Sequence, residues 1–296
     1  MVQSADNPEP IAAHGGREPR TLKLTLAYDG TDYVGWQRQA EGVSIQGLIE
    51  AVLSAIEGRH VTVTGAGRTD AGVHALGQVA STVFMHDLDT TRLRRALNAM
   101  LPPEVRILAV EEAPAAFHAR RGACAKTYRY CIASGEMVSP FERRYVWHVR
   151  QALNPDAMAA AARLLEGRHD FAGFQAAGSA IATTVRTVFS STLRPAGDED
   201  QFWPPGARAA GRDAPSRLLL VYDVTGDGFL RHMVRTIVGT LVDIGSGRRD
   251  PHAIDTVLAA RQRQAAGPTA PASGLCLVRV AFDPQALGLR VDAGAL

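Results

Sequence analysis

Cysteines, long apolar runs and a hydrophobic leader are scarce or missing in this sequence. The 296 residues include three cysteines, Cys124, Cys131 and Cys276, and no two of them have C-x-x-C spacing. This sparse, odd set argues against a disulfide scaffold and favours a reducing compartment. No apolar run approaches the roughly 18 to 20 residues that span a bilayer, and the first twenty residues lack the apolar core of a signal peptide. We therefore expect a cytoplasmic protein without a membrane partner.

Lysine is almost absent, because Lys23 and Lys126 are the only lysines among 32 basic residues. Arginine favours bidentate phosphate contacts, although a GC-rich genome produces the same bias. Segment 117–150 has seven basic and two acidic residues, and the aromatic residues interleaved with them include Tyr128, Tyr130, Phe141, Tyr145 and Trp147. This pattern is typical of an RNA-binding surface. It fits a solvated strand face with aromatic residues in the core as well.

The first half of the chain has the element order β-α-β-β-α-β. Alternating apolar residues predict four strands, over 21–29, 61–64, 77–84 and 104–113. Apolar residues at helical spacing predict two helices, over 44–58 and 90–101. Ser44 is the expected N-cap of the first helix and Gly58 is the glycine that ends it.

The second half repeats this order. Its predicted strands cover 125–133, 183–194, 217–226 and 274–283, and its predicted helices cover 154–167, 229–245 and a short segment near 251–261. Asn154 is the expected N-cap and Gly167 the terminal glycine of the first of these helices. The second would place Arg231 and Arg235 on one helix face.

These orders predict an α+β fold with two ferredoxin-like, split β-α-β domains and antiparallel or mixed sheets. The domains are expected at 21–115 and 116–285, and the sequence does not show whether their sheets join edge to edge. Four segments, rich in Pro, Gly, Ala or charge or lying at the chain ends, are expected outside the folded elements: a disordered tail 1–20, an inserted loop 195–216, the stretch 265–274 and a tail 286–296.

Three glycines surround an arginine and an aspartate in the segment GAGRTDAGVHALGQ, residues 65–78. A dinucleotide-binding motif fails at Asp70, and a P-loop motif fails because Val73 and His74 replace its lysine and hydroxyl residue. Arg68 could hold Asp70 ionised when a substrate excludes water, which suits a nucleophile or general base. A tight turn with an Asx hydrogen bond and a surface ion pair explains the same residues equally well.

The segment GRTDAGVHA, preceded by YDGTDYVGWQRQ, closely resembles the signature of tRNA pseudouridine synthases of the TruA type. Further matching segments follow in the family's order: FHAR, KTYRY, HDFAGF, TVRTV, GFLRHMVRTIVG and SGLCLVRV. The resemblance extends over about residues 21–283. It implies two ferredoxin-like domains joined into a pseudouridine synthase fold, a homodimer and a tRNA substrate. It implies no cofactor and no metal.

The resemblance also implies roles for individual residues. Asp70 matches the catalytic aspartate, and Arg68 matches an arginine that pairs with it and helps to hold the flipped-out base. Tyr128 matches a tyrosine that stacks on the uracil and is a candidate for proton transfer. Two residues match positions that line the same pocket, Arg235 and Leu275. Two more lie in a segment that faces RNA in the family, Gln37 and Arg38.

The implied reaction is the isomerisation of uridine to pseudouridine at positions 38 to 40 of the tRNA anticodon stem-loop, with base flipping and an essential aspartate. Whether Asp70 attacks C1′ or C6, or removes a ribose proton, stays open. The alternative is a catalytically silent tRNA-binding or folding protein on the same scaffold. Asp70, Arg68 and Tyr128 together favour the enzyme, since a binding protein needs no desolvated carboxylate facing RNA.

Other reactive residues have simpler explanations. The spacing of His118, Cys124 and Cys131 matches no zinc site, so we interpret the two cysteines as buried thiols in or beside a strand. His169 and Asp170 resemble an acid–base pair, but the end of a helix at His169 followed by a turn at Asp170 explains them better.

Overall fold

The computed structural model describes residues 18–176, 178, 181–197, 200 and 218–283, which form a mixed ten-stranded sheet with packed helices. The strands are β1 (Arg20–Tyr28), β2 (Thr64–Gly65), β3 (His74–Phe84), β4 (Val105–Ala113), β5 (Ala125–Ser134), β6 (Trp147–Val149), β7 (Gly167–Asp170), β8 (Val185–Pro195), β9 (Leu218–Gly226) and β10 (Leu275–Ala281). The helices are α1 (Ile45–Glu57), α2 (Thr90–Met100), α3 (Ala119–Gly122), α4 (Pro155–Arg163), α5 (Met233–Gly245) and α6 (Ala253–Ala260).

The two halves of the chain share one continuous sheet. The strand order is β4-β1-β3-β10-β5-β9-β8-β7, with β2 beside β3 and β6 beside β5. The halves meet where β10 pairs in parallel with β3, with Cys276 opposite His74 and Leu277 opposite Ala75. On its other side β10 pairs antiparallel with β5. The predicted α+β class with a mixed sheet is confirmed, and the halves do join edge to edge.

Each half also has the same internal strand order. The first half reads β4-β1-β3-β2 and the second reads β10-β5-β9-β8. If the four strands of each β-α-β-β-α-β unit are numbered along the chain, both units have the order 4-1-3-2 across the sheet. The strands β6 and β7 are additions to this pattern. The division into domains 21–115 and 116–285 stays a prediction, because the parallel pairing of β3 with β10 makes the sheet continuous across it.

The core lies between the sheet and the helices packed on it. Because strand residues alternate between faces and helical residues repeat every three to four positions, β1 and α1 each present a buried apolar row: Leu22, Leu24 and Leu26 from the strand, and Ile45, Ile49 and Leu53 from the helix. Both predicted caps of α1 are confirmed. The Ser44 side chain accepts from the Gly47 N–H, and Gly58 ends the helix with a φ of 75°.

The helix predicted over 154–167 is shorter than its sequence indicates. Asn154 caps it as predicted, but α4 ends at Arg163, and Gly167 begins β7 instead of ending a helix. The backbone hydrogen bonds after Arg163 are of the i to i−3 type, which tightens the last turn. The chain then pairs with β8, and His169 and Asp170 belong to this strand. The expected helix end at His169 is therefore wrong.

The second long helix of this half begins later than predicted. A start at residue 229 is wrong, because His232 has a left-handed φ of 62° and α5 begins at Met233. Arg231 precedes the helix and is exposed, so it shares no helix face with Arg235. The turn between β9 and α5 is thus fixed before the helix begins.

The strand predicted over 61–64 is reduced to Thr64 and Gly65 in β2. The backbone N–H groups of Val61 and Val63 donate to side chains of α1 at 2.9 and 2.8 Å, to Ser54 Oγ and Glu50 Oε1 respectively. Because these N–H groups bond to the helix, the segment follows α1 before it joins the sheet.

The predicted tails and insertion lie largely outside the described residues, which exclude 1–17, 198–199, 201–217 and 284–296. Arg20, placed at the end of the tail by the sequence, begins β1. Asp200 of the predicted insertion is buried and accepts from Arg194 at 2.6 and 2.7 Å. Within the described ranges, no helix has the length and apolar character needed to cross a membrane.

Candidate active site

Asp70 lies in the loop between β2 and β3, and the preceding loop of the chain fixes its path. The Trp36 N–H donates to the Thr69 carbonyl oxygen at 3.1 Å, and the Gly72 N–H donates to the Tyr33 carbonyl oxygen at 3.2 Å. The Trp36 ring is buried beside them. Because these bonds come directly before and shortly after Asp70, the position of its backbone is fixed from both sides.

Buried uncharged groups support this loop. Tyr28 Oη lies 2.9 Å from Thr69 Oγ1, and the Gln78 side-chain amide donates to the Gly67 carbonyl oxygen at 2.9 Å. Burial raises the pKa of Tyr28 well above its usual value, so its phenol stays neutral. These supporting groups are uncharged, so they hold the loop without placing another charge beside Asp70.

Two side chains approach the Asp70 carboxylate from the start of α5. Arg235 Nη1 donates to Oδ2 at 3.2 Å, and His232 Nε2 lies 3.6 Å from the same oxygen. Arg235 is itself fixed, because its Nε donates to the Ala270 carbonyl oxygen at 2.7 Å. The Asp70 side chain is 28% exposed, so the carboxylate is reachable from outside. An adjacent cation favours the ionised form of such a carboxylate when a substrate excludes water.

Arg68 does not pair with Asp70 in this structure. Its Nε donates to Gln37 Oε1 at 3.1 Å, and its side chain is exposed. None of the ion pairs among the described residues joins it to Asp70. The predicted partner is thus replaced by Arg235, which comes from the other half of the chain. A role of Arg68 toward the substrate stays a prediction.

Gln37 and Arg38 lie on the loop that precedes α1. Gln37 accepts the hydrogen bond from Arg68, which places both residues next to the loop of Asp70. Arg38 Nε lies 3.1 Å from the buried Glu50 Oε2, and its own side chain is half-exposed. Their predicted contacts with RNA stay predictions. The geometry leaves cationic groups exposed along this edge of the site.

Tyr128 is buried on β5, between β10 and β9 in the sheet. Its ring packs edge-on against Phe229, with centroids 5.1 Å apart. A Cβ atom at Gly67 would lie 3.9 Å from Tyr128 Oη, which shows how near the loop of Asp70 passes. Burial raises the pKa of Tyr128 well above its usual value, and nearby Asp70 adds to this shift. The phenol is therefore neutral beside the carboxylate.

Leu275 and two residues that the sequence did not assign complete the surroundings. Leu275 begins β10, is buried and pairs with Tyr130. Phe229 and His232 lie in the matched segment GFLRHMVRTIVG, yet sequence reasoning gave neither a role. A continuous helix over 229–245 hides the turn that brings His232 to Asp70. The matched segment points to these residues, but the sequence does not reveal the left-handed turn at His232.

No group of three or more His, Cys, Asp or Glu side chains in the described part of the chain could hold a metal ion. His118 caps α3 by accepting backbone N–H bonds. Cys124 Sγ donates to the Ala281 carbonyl oxygen at 3.3 Å and is partly exposed. Cys131 is fully buried, so the interpretation as a buried thiol is confirmed for Cys131 alone.

Comparison with known proteins decides the family. A family model described as tRNA pseudouridine synthase matches residues 25–120 and 161–283. The chain belongs to the tRNA pseudouridine synthase family. A tRNA pseudouridine synthase A of Syntrophotalea carbinolica is 44% identical over 264 residues, covering 89% of this chain and 97% of the relative. That of Moorella thermoacetica is 45% identical over 263 residues, covering 88% and 99%.

The pseudouridine synthase family places this chain among isomerases. Among solved structures, a Cbf5–Nop10–Gar1 complex matches with a TM-score of 0.27 and 12% identity, over 78% of this chain and 55% of that chain. The residues that the family model matches include the loop of Asp70 and the start of α5.

Gly35 permits the close approach of the loop that supports Asp70. Its φ is +100°, and a Cβ atom there would lie 2.5 Å from the Thr69 carbonyl oxygen. We expect Gly35→Ala to lower the free energy of unfolding by about 1 to 3 kcal/mol. Isomerase activity should fall too, because the backbone next to Asp70 must move. Urea unfolding and an activity assay at saturating substrate measure the two effects.

Gly58→Ala is the matched control. Gly58 has a φ of +75° at the end of α1, but a Cβ atom added there would have no other atom within 4 Å. This variant should lose about 1 kcal/mol of stability and keep its activity. Full activity in Gly35→Ala would contradict the proposed support of Asp70 by this loop.

Proposed function

We propose that this protein converts uridine to pseudouridine at positions 38 to 40 of the tRNA anticodon stem-loop, with Asp70 as the essential carboxylate. The observation that carries the proposal is the Asp70–Arg235 contact, 3.2 Å long, on a loop that passes beside the buried Tyr128. A partly exposed carboxylate held by a fixed arginine beside an aromatic ring suits chemistry on a flipped-out base.

The reaction needs neither an oxidant nor a reductant. The N1–C1′ bond breaks, the uracil turns and C5 bonds to C1′. The hydrogen at C5 leaves as a proton to water, directly or relayed through the neutral Tyr128 hydroxyl, and N1 takes up a proton, so the product is an isomer of the substrate. Asp70 begins this sequence by attack at C1′ or C6 or by removal of a ribose proton. All three routes require an ionised carboxylate, and Arg235 favours that form once RNA excludes water.

Residues around the carboxylate would hold the flipped-out nucleotide. We propose that the neutral Tyr128 ring supports the uracil and that Leu275 closes the pocket beside it. Unstacking the target base costs about a few kcal/mol. Aromatic support and phosphate contacts from Arg68 and Arg38 would offset that cost, with Gln37 orienting Arg68.

We further propose that the protein acts on tRNA in the cytoplasm as a homodimer, an arrangement implied by the family resemblance. Light scattering coupled to size-exclusion chromatography gives the mass of the free protein and of its tRNA complex. A monomer with full activity would contradict the dimer.

Tritium release from C5-labelled uridine in an unmodified tRNA transcript, without added cofactor, tests the reaction. Transcripts that keep one uridine at position 38, 39 or 40, with cytidine at the other two, test the site. We expect release from these transcripts and none when all three positions are cytidine. Tight tRNA binding without release would favour a silent tRNA-binding protein instead.

A further inference from the structure

We propose that His232 is a positioning residue for Asp70 and that it leaves Oδ1 as the oxygen that reacts. This inference rests on the proposed function, because it takes Asp70 as the reacting carboxylate. Arg235 and His232 both approach Oδ2, at 3.2 and 3.6 Å. Among the described residues, no hydrogen bond or ion pair engages Oδ1. Two neighbours on one oxygen restrict rotation of the carboxylate and present the other oxygen to the substrate.

The backbone of His232 aims its ring at the carboxylate. Its φ of 62° and ψ of 1° lie in the left-handed region, which residues other than glycine seldom adopt. The Met233 N–H donates to the Leu230 carbonyl oxygen at 3.0 Å, and the Thr236 N–H donates to the His232 carbonyl oxygen at 2.9 Å. A strained residue in a turn fixed on both sides points to a function for its side chain.

The charges around the imidazole favour its neutral form. Asp70 faces it from the loop after β2, Arg231 and Arg235 from its own segment, and Arg263 from the turn after α6. Burial lowers the pKa of His232, the three arginines lower it further, and Asp70 opposes them. A neutral ring can direct its Nε2–H at Oδ2. Protonation in acid adds a second full positive charge there, which weakens the carboxylate as a nucleophile or base.

His232→Gly tests this role, because glycine accepts the left-handed backbone and removes the imidazole. At pH 8 and saturating tRNA, we expect the single-turnover rate of pseudouridine formation to fall about ten- to a hundredfold. The tRNA affinity should be unchanged, and the melting temperature should equal or exceed that of the wild type. Because burial lowers the pKa of His232 from its ordinary 6.5, the wild-type rate should decline toward acid only below about pH 6.5, as the imidazole protonates. That part of the decline should be absent from the variant.

Two further variants make the result specific. His232→Asn keeps a polar side chain that tolerates the left-handed backbone but does not titrate, so it should restore part of the rate without the acid decline. Arg261→Gly is the matched control, because Arg261 is the other non-glycine residue with positive φ in the described ranges, at 54°. Its side chain is exposed and lies 3.4 Å from Asp170. It should keep the wild-type rate and pH profile.

The outcomes separate this inference from the function beneath it. A His232→Gly variant with the wild-type rate and pH profile would overturn the inference alone. A lower rate accompanied by a lower melting temperature and an unchanged acid decline would show a structural role and would overturn it as well. A wild-type protein that forms no pseudouridine would overturn the proposed function, and this inference with it.

Discussion

Asp70→Asn is expected to reduce the single-turnover rate of pseudouridine formation by at least about a thousandfold. Asparagine has nearly the same shape, and its carbonyl oxygen can still accept the hydrogen bond that Arg235 donates at 3.2 Å. The loop should therefore keep its path, while the side chain loses its charge and its capacity as a nucleophile or base. Tritium release from a C5-labelled tRNA transcript measures the rate. The tRNA affinity should stay within a few-fold of the wild type.

Asp32→Asn is the control for the change in charge. Asp32 is an exposed carboxylate on the neighbouring loop, 3.7 Å from Arg144. Its replacement removes the same negative charge near RNA, so any gain in affinity from weaker repulsion should be similar in both variants. The Asp32 variant should keep its rate. If Asp70→Asn also keeps its rate, Asp70 has no place in the mechanism.

Local structure was predicted well because its causes lie within a few residues. Ser44 and Gly58 define α1 through a side-chain cap and a left-handed glycine, and both are visible in the sequence. The end of α4 was missed for the opposite reason. The residues after Arg163 favour a helix, but pairing of β7 with β8 overrides that preference. A short edge strand such as GRHD has no apolar alternation by which to recognise it.

Sequence patterns identify only some of the residues that the structure brings together in the candidate site, for a related reason. Asp70 and Tyr128 stand in recognisable segments, and the structure places them near each other. The resemblance implies Arg68, two residues away, as the partner of Asp70, but in the structure Arg68 contacts Gln37 and Arg235 contacts the carboxylate. Arg235 is 165 positions further along the chain and reaches Asp70 through the start of α5. His232 depends on a backbone conformation that sequence patterns do not encode.

Arg235→Ala should reduce the single-turnover rate by about a hundred- to a thousandfold, because Asp70 then has no fixed cation when RNA excludes water. Arg235→Lys should recover only part of this loss. A lysine supplies the charge, but it cannot donate to both Asp70 and the Ala270 carbonyl oxygen in the geometry of a guanidinium. The single-turnover rates at saturating tRNA measure this effect. The tRNA affinities, measured alongside, should change little.

Because Arg235 and Asp70 are in contact, their substitutions should have non-additive effects on the free energy of unfolding. Truncating either side chain to alanine breaks the pair, so the loss in the double variant Asp70→Ala/Arg235→Ala should differ from the sum of the single losses by about 0.5 to 3 kcal/mol. Arg248→Ala is the control, since Arg248 follows α5 and its 2.7 Å pair with Asp243 lies at the end of that helix far from Asp70 in sequence. It should leave the rate intact. Additive stabilities, or an equal loss of rate in the Arg248 variant, would mean that Arg235 supports the helix rather than the carboxylate.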